Sequence, residues 1–428
     1  MATISTITKK QFRRTLTGAQ GLRGLFTGTA SDATDGSVVC DSTHLVDQSS
    51  DGLLDRAYDS SRFRNAYLLL NYTTPESHRS AHYSADAGSI EVGRTFATTP
   101  VTATTEYEVH THGLDPVGDL DAAINWVCEN SRYETYAVLA GLADPDGAQD
   151  GASVDSGWTG TNATLSKVDD DADGRTRKVL RAVTSATDGY AGKTVAVGGI
   201  STGQPSYKVF GTCKAAGGTA KIVVRDLTNG ADISVTWHDL ATVPAATYGD
   251  WVTLYGTFSL PSGCVSLSLR LQNTANAATT DWKDVGLHRF DAEGHSLPTW
   301  VDDPENQIAG VYSRTRQGVL TPVVQPPKWR GGLLPLRPTD WPFVPVIHAG
   351  RPFGAPSAET TTLPKWAEKW LISGALAQCY KQLATVSTRD GATFERKYLL
   401  ALQDWRNQGS FFDPVIRYGR PRWSLVRQ

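Results

Sequence analysis

The sequence carries one methionine and nine histidines in 428 residues. Its five cysteines, Cys40, Cys128, Cys213, Cys264 and Cys379, are odd in number and far apart, with no C-x-x-C spacing. That pattern encodes neither a zinc site nor a disulfide framework, and the thiols read as small apolar packing residues. Cys213 and Cys264 fall in expected strands of one segment, which leaves one bridge open. Neither sign of charge predominates: 41 Lys and Arg stand against 44 Asp and Glu, a net charge of −3. A global basic field for non-specific nucleic-acid binding is therefore absent. The N-terminus has no apolar signal-peptide region, and no hydrophobic run is long enough to span a membrane. Synthesis and first folding in a cytoplasm are expected.

Catalytic signatures are missing too. There is no G-x-S-x-G elbow, no H-E-x-x-H, and no Walker or Rossmann glycine pattern. His110-Thr111-His112 reads as a strand-end surface pair without a carboxylate cluster. His78 and His82 share a strand face but lie ~13 Å apart, too far for one metal. The run Asp169-Asp170-Asp171-Ala172-Asp173-Gly174 has the D-x-D-x-D-G order of a calcium loop. Leu180 stands where an EF-hand needs glutamate, so a solvated hairpin tip and a weak cation site are the readings left. No acid pair for glycoside cleavage stands out. The chain is expected not to be an enzyme.

What is present is punctuation and alternation. Forty glycines and 21 prolines suit a turn-rich β protein. The fold class expected is mainly β with α, in five segments. Residues 1–39 form an N-terminal arm whose Lys9-Lys10-Gln11-Phe12-Arg13-Arg14 is a short basic helix, ordered against a partner or frayed. Residues 40–143 form a small β-barrel with a following helix, and 133–142 extend that helix or form a second one. Residues 150–290 form a jelly-roll β-sandwich, with alternating strands such as Lys221-Ile222-Val223-Val224-Arg225-Asp226. Residues 291–360 are an extended Pro-rich connector. Residues 361–428 form a helical hairpin and a basic, aromatic tail. The first and last parts either pack together around the sandwich as an insertion or stand in tandem with it.

The sandwich segment is rich in aromatics. Trp158, Tyr190, Trp237, Tyr248, Trp251 and Trp282 either fill the core or line a concave face. Sugar rings pack apolar C–H faces on such rings, and their hydroxyls need polar partners such as Gln272 and Asn273 at a strand end. The candidate carbohydrate-binding residues are Trp158, Tyr190, Trp237 and Gln272.

Several blocks carry family resemblances. Gly157-Trp158, Gly189-Tyr190-Ala191, Tyr207-Lys208-Val209 with Gly211, Val223-Val224-Arg225-Asp226, the stretch Asp250-Trp251-Val252-Thr253-Leu254-Tyr255-Gly256-Thr257-Phe258, and Trp282-Lys283-Asp284-Val285-Gly286-Leu287 resemble the jelly-roll carbohydrate-binding modules attached to xylanases and related glycosidases. That resemblance implies a structural calcium held by Asp284. The flanks look like virion proteins of tailed bacteriophages. Ala66-Tyr67-Leu68-Leu69-Leu70, Ser77-His78-Arg79-Ser80, Ile90-Glu91-Val92 and Thr105-Glu106-Tyr107-Glu108-Val109 are similar to a β-module of neck and tail components. Gly118-Asp119-Leu120-Asp121-Ala122-Ala123-Ile124-Asn125 follows as a helix does there. The C-terminal hairpin is in keeping with head-to-tail adaptor proteins, which are shorter chains. The resemblance implies a structural virion protein assembled in a host cytoplasm, at the head-to-tail neck or upper tail. It would form a homo-oligomeric ring, with portal and other neck or tail proteins as partners and a cell-surface or capsid-surface glycan as ligand. The alternative is a soluble carbohydrate-binding accessory protein of a polysaccharide-degrading system.

Overall fold

The computed structural model describes residues 6–18, 21–22, 24–31, 36–41, 45, 66–70, 74–84, 88–98, 104–139, 141–142, 154, 157–169, 178–197, 205–245, 251–289, 295–298, 300–314, 319–323, 333–334, 344–387, 390–413 and 417. The acidic run at 170–174, Tyr248, the 143–147 linker and the tail past residue 417 lie outside them. The chain forms two compact units. One combines residues 2–133 with 352–412, and the other spans 134–351 with 413–428.

The first unit is built from both ends of the chain. Strand Thr6–Thr8 pairs antiparallel with Thr362–Pro364. Helix α1, Lys9–Thr17, starts in a capping box: Gln11 N donates to Thr8 Oγ1 at 3.2 Å, and Thr8 N donates to Gln11 Oε1 at 3.0 Å. The 1–39 segment is thus not a free arm. Its helix docks within its own chain, because Phe12 and Leu16 bury in one cluster with Ile124, Val127, Trp370 and Leu371. Helix α2 spans Asp121–Asn130, α3 spans Glu368–Val386 and α4 spans Gly391–Gly409. The α3–α4 hairpin matches expectation, and Trp370 Nε1 donates to Trp405 O at 3.0 Å across it. Gly374 makes the helix junction possible. A Cβ there would stand 2.4 Å from Val127 and 2.8 Å from Trp405.

The barrel region is a six-stranded antiparallel sheet in the order Leu25–Thr29, Glu106–His110, Tyr67–Leu70, Glu76–Ser84, Ser89–Val92, Val38–Cys40. Its edges meet where Ser31 N donates to Cys40 O at 2.8 Å, so the sheet curls toward closure. Leu68, Leu70, Tyr107, Val109 and Ile90 fill its interior.

Ionic groups pin α1 to this sheet. Arg13 and Glu108 are each 0% exposed. Arg13 Nε lies 3.2 Å from Glu108 Oε2, and its Nη1 lies 2.8 Å from Glu359 Oε1. Arg14 Nε reaches Glu108 Oε1 at 2.7 Å, His110 Nε2 lies 3.0 Å from Glu108 Oε2, and Lys9 reaches Asp121 at 2.6 Å. The expectation of a surface histidine pair is corrected here. His110 is buried, and His112 Nε2 lies 3.3 Å from His110 Nδ1. Burial works to raise the Glu108 pKa, but the His110 hydrogen bond and the Arg13 charge hold it well below the carboxylate range. Burial lowers both histidines, His112 to about 3.

The second unit is a β-sandwich with a further sheet packed on it. One sheet runs Ala163–Asp169, Lys178–Thr184, Thr279–Arg289, Ser206–Ala216, Val252–Ser259, Thr236–Trp237. The other runs Ala231–Asp232, Thr219–Asp226, Ser266–Asn273, Gly189–Ala196, Trp158–Thr161, with Thr242–Pro244 beside Thr219–Asp226. The chain crosses between the sheets repeatedly, as a jelly roll requires. Alternation sets the core. Ile222 and Val224, Leu267, Leu269 and Leu271, and Leu254 and Phe258 all point inward. Each such side chain contributes roughly 1.5–3 kcal/mol by leaving water. Cys213 and Cys264, the open pair, are free thiols.

Strand Ser206–Ala216 departs from alternation, with seven consecutive buried residues, because it is covered on both faces. Tyr207, Val209 and Cys213 enter the sandwich core. Phe210 points the other way, into a cluster with Val138, Val344 and Val346. Those valines belong to a four-stranded sheet ordered Leu320–Pro322, Ile308–Arg314, Val344–Pro352, Arg132–Val138. Two expectations are corrected by it. The 291–360 connector contains ladder strands, and residues 132–138 form a strand, not a helix. Ser131 is already extended at ψ 124, and Tyr133, Thr135 and Tyr136 favour a pleated surface. Among the described residues, no helix is long and apolar enough to cross a membrane.

Candidate ligand-binding face of the sandwich

The four candidate residues do not converge. Trp158 is 5% exposed and belongs to the core cluster, so it offers no surface platform. It sits opposite Lys193 on an edge strand, where its parity turns it inward. Trp237 packs half-buried against the rim of the core, beside the Gly256 backbone. Trp282 is fully buried, Asn273 is spent inside on Gly217 O and Thr280 Oγ1, and Trp251 lies under the Lys283 ammonium at 4.1 Å.

Tyr190 and Gln272 do meet. They are directly opposed on neighbouring antiparallel strands. Ala191 and Leu271 beside them are buried, so alternation places this pair on the outer face of the sheet. The next pair on that face is Gly192 and Arg270. A Cβ on Gly192 would stand 3.0 Å from Tyr190 Cε2, so the missing side chain is what lets the ring lie along its own strand. Arg270 stacks on that ring, its guanidinium carbon 4.5 Å from the centroid. Its Nε donates to Ser268 Oγ at 3.4 Å, and its terminal nitrogens have no protein partner among the described residues. Gln272 Nε2 donates to Asp188 O at 3.2 Å, and Lys221 Nζ lies 3.4 Å from Asp188 Oδ1. Asp188 holds a left-handed φ of +58° at the turn into the Gly189–Ala196 strand. The result is a ring and a guanidinium with an amide beside them and spare hydrogen-bonding capacity. Arg270 carried no signal in the sequence. Only the cross-strand register brings it to Tyr190.

A polar concavity lies elsewhere on the same unit. A cleft of about 850 Å³ is lined by the hydroxyls of Ser206, Ser234, Thr236, Thr257 and Ser259 and by Asp232, whose carboxylate pairs with Arg225 at 3.0 Å.

Asp284 sits at a bulge, where the register of its strand against Ser206–Ala216 shifts, and has φ +54°. It is buried, and Arg314 Nη2 donates to its Oδ2 at 2.5 Å. The group facing the expected calcium ligand is thus a cation. Among the described residues no cluster of three His, Cys, Asp or Glu is placed to hold a metal.

No family model matches the chain, and no curated relative does. Solved structures match in part. The enzymatically active domain of tailspike protein 4 from Bacteriophage CBA120 is 12% identical, over 31% of this chain and 19% of that one, with a TM-score of 0.24. A variant of the family 29 carbohydrate-binding module CBM29-2 complexed with mannohexaose is 15% identical over 36% and 92%, with a TM-score of 0.22. The CBM22-1–GH10 modules of Clostridium thermocellum endo-1,4-beta-D-xylanase 10B complexed with xylohexaose are 17% identical over 38% and 29%, with a TM-score of 0.25. At such scores the likenesses assign no ligand, and the side chains of the sandwich must do so.

Proposed function

We propose that this chain is a structural protein displaying its sandwich as a glycan-binding module, without bond-breaking chemistry, and that the glycan lies across Tyr190, Arg270 and Gln272. The observation that carries the proposal is the cross-strand pairing of Tyr190 with Gln272 beside the stacked Arg270. A pyranose offers an apolar C–H face and a rim of hydroxyls. The tyrosine ring suits the face, and the guanidinium and amide suit the rim. A single shallow contact of this kind is weak, and display in many copies multiplies it.

The setting we propose is a tailed-phage virion, at the head-to-tail neck or upper tail. The portal and other neck or tail proteins would be its neighbours, and a cell-surface or capsid-surface glycan its ligand. The two-unit build supports display of the sandwich: the chain ends build one unit, and the middle folds into another, free to carry a separate task.

A glycan array with the full chain, followed by titration of the strongest hit, tests the binding. Tyr190→Ala is expected to weaken it tenfold or more, about 1.4 kcal/mol, and Gln272→Ala several-fold. If Asp232→Ala and Ser234→Ala abolish binding while Tyr190→Ala does not, the ligand sits in the cleft and the assignment fails. An array with no hit removes the glycan reading altogether.

A further inference from the structure

Helix α4 buries only one stripe. Phe394, Tyr398 and Trp405 turn toward its own unit, while Leu399 and Leu400 stay 57% and 56% exposed on the other side. Two exposed leucines alone decide nothing, because single apolar residues are common on surfaces. The charges around them do decide. A helix advances about 100° per residue, so residues seven or eleven apart return to nearly the same side. Lys397 and Asp404 are seven apart and lie on one flank of the leucines. Glu395 and Arg406 are eleven apart and lie on the other. Glu395, Asp404 and Arg406 make no ion pair or side-chain hydrogen bond among the described residues. The Lys397 ammonium is held on its flank over the Tyr380 and Phe394 rings, at 5.5 and 5.6 Å.

Each flank is self-complementary when read backwards. In an antiparallel helix pair related by a dyad, each flank meets the same flank of the other copy in reverse order. One dyad between Leu400 and Ala401 sets Lys397 against the second copy's Asp404 and Glu395 against its Arg406. Each attraction then occurs twice, and the four leucines close the centre. A parallel pairing would instead set each flank against the opposite flank of the other copy, Lys397 near Glu395 and Asp404 near Arg406. Exchanging the charges of Lys397 and Asp404 would turn that arrangement repulsive, so the double variant below separates the two orientations. We infer that the exposed face of α4 is a two-fold interface with a second copy of this chain. This inference is independent of the glycan reading.

Sedimentation velocity of the full chain from about 1 to about 100 µM tests it, since a contact of one helix pair belongs to that affinity range. A reversible dimer is expected. Lys397→Asp turns two attractions into two repulsions and should weaken dimerisation tenfold or more, and Asp404→Lys should do the same. The two changes in one chain restore opposite charges and should return the dimer to within about threefold of the parent. Both side chains are exposed, so Asp404→Lys should leave the thermal midpoint at the parent value. Lys397→Asp, which also gives up its place over the Tyr380 and Phe394 rings, should lower it by no more than about 4 °C, which excludes misfolding as the cause. A monomer throughout the range would overturn the inference. So would an oligomer indifferent to both single changes, or a double variant that fails to recover.

Discussion

The Arg13–Glu108 pair offers the sharpest test of how the chain ends are held together. The perturbation is Arg13→Met, which keeps most of the aliphatic stem and removes the charge. Both partners are wholly buried. Removing one partner of such a pair costs about 3–5 kcal/mol, chiefly because the other charge is left uncompensated. Glu108 would keep Arg14 at 2.7 Å and His110 at 3.0 Å, so the lower end, about 3 kcal/mol, is expected. A second change separates charge from packing. In the parent, Glu108→Gln destabilises, because Arg13 loses one of its counter-charges and keeps only Glu359 at 2.8 Å. In the Arg13→Met background the same change should cost less than in the parent, because the carboxylate then has only Arg14 and His110 left to lose. Hydrogen exchange of the α1 and Glu106–His110 amides reads this unit without interference from the other. A cost under about 1 kcal/mol for Arg13→Met, or a Glu108→Gln cost as large in the Arg13→Met background as in the parent, would refute the reasoning.

Two further outcomes follow from burial. His110 and His112 are both depressed in the fold, His112 to about 3, whereas an unfolded histidine takes up its proton near 6.5. The unfolded chain therefore binds more protons below pH 6.5, and stability of the first unit should fall from there, by at most about 1.4 kcal/mol per pH unit for each histidine. The depressed Glu108 adds its loss only below about pH 5, so a stability curve flat from pH 6.5 to 5 would contradict the burial of the histidines. In the second unit, Gly286→Ala would place a Cβ 2.1 Å from Cζ of the fully buried Phe210, at about 1–3 kcal/mol or more by urea denaturation. Gly93→Ala, with open space around its Cβ, serves as the near-neutral control.

How much of this was legible depended on whether a residue's neighbours lay near it in sequence. The strands Thr219–Asp226, Val252–Ser259 and Ser266–Asn273 could be read because each has one buried face, and a period of two marks it. The α3–α4 hairpin was equally readable from helical spacing. Strand Val344–Pro352 was not, since Pro345 and Pro352 punctuate it and its apolar run is short. The capping box from Thr8 to Gln11 was a local signal that the N-terminal helix has a fixed start, and a frayed arm has no need of one. The buried cluster was also partly on view. Glu106, Glu108 and His110 recur at period two on one strand face, so carboxylates do accompany the histidines. What no pattern revealed was the cover over that face, because α1 reaches it through a tertiary fold. The same holds for the candidate ligand face. The neighbour Ala191 turned Tyr190 outward by alternation, but Arg270 is eighty residues away and arrives only through register.

The pairing of the chain ends explains why the middle is free to be a sandwich. In the first unit Phe353 N donates to Cys128 O at 3.0 Å, and the Tyr133 and Phe353 rings lie 4.9 Å apart. In the second, Tyr136 stacks on His348 at 4.5 Å, on strands that are neighbours in one sheet. Glu134 and Arg351, the ends of the second unit's long span, thus lie on neighbouring strands of one sheet. Closing a long loop costs little more than closing a medium one, since the entropy grows only with the logarithm of length. An insertion whose own ends already lie together removes most of that cost once it folds. Changes on the outer face of the sandwich then need not disturb the core that joins α1 to α3, and the face that carries Tyr190 can change its side chains while the framework of the chain ends stays fixed.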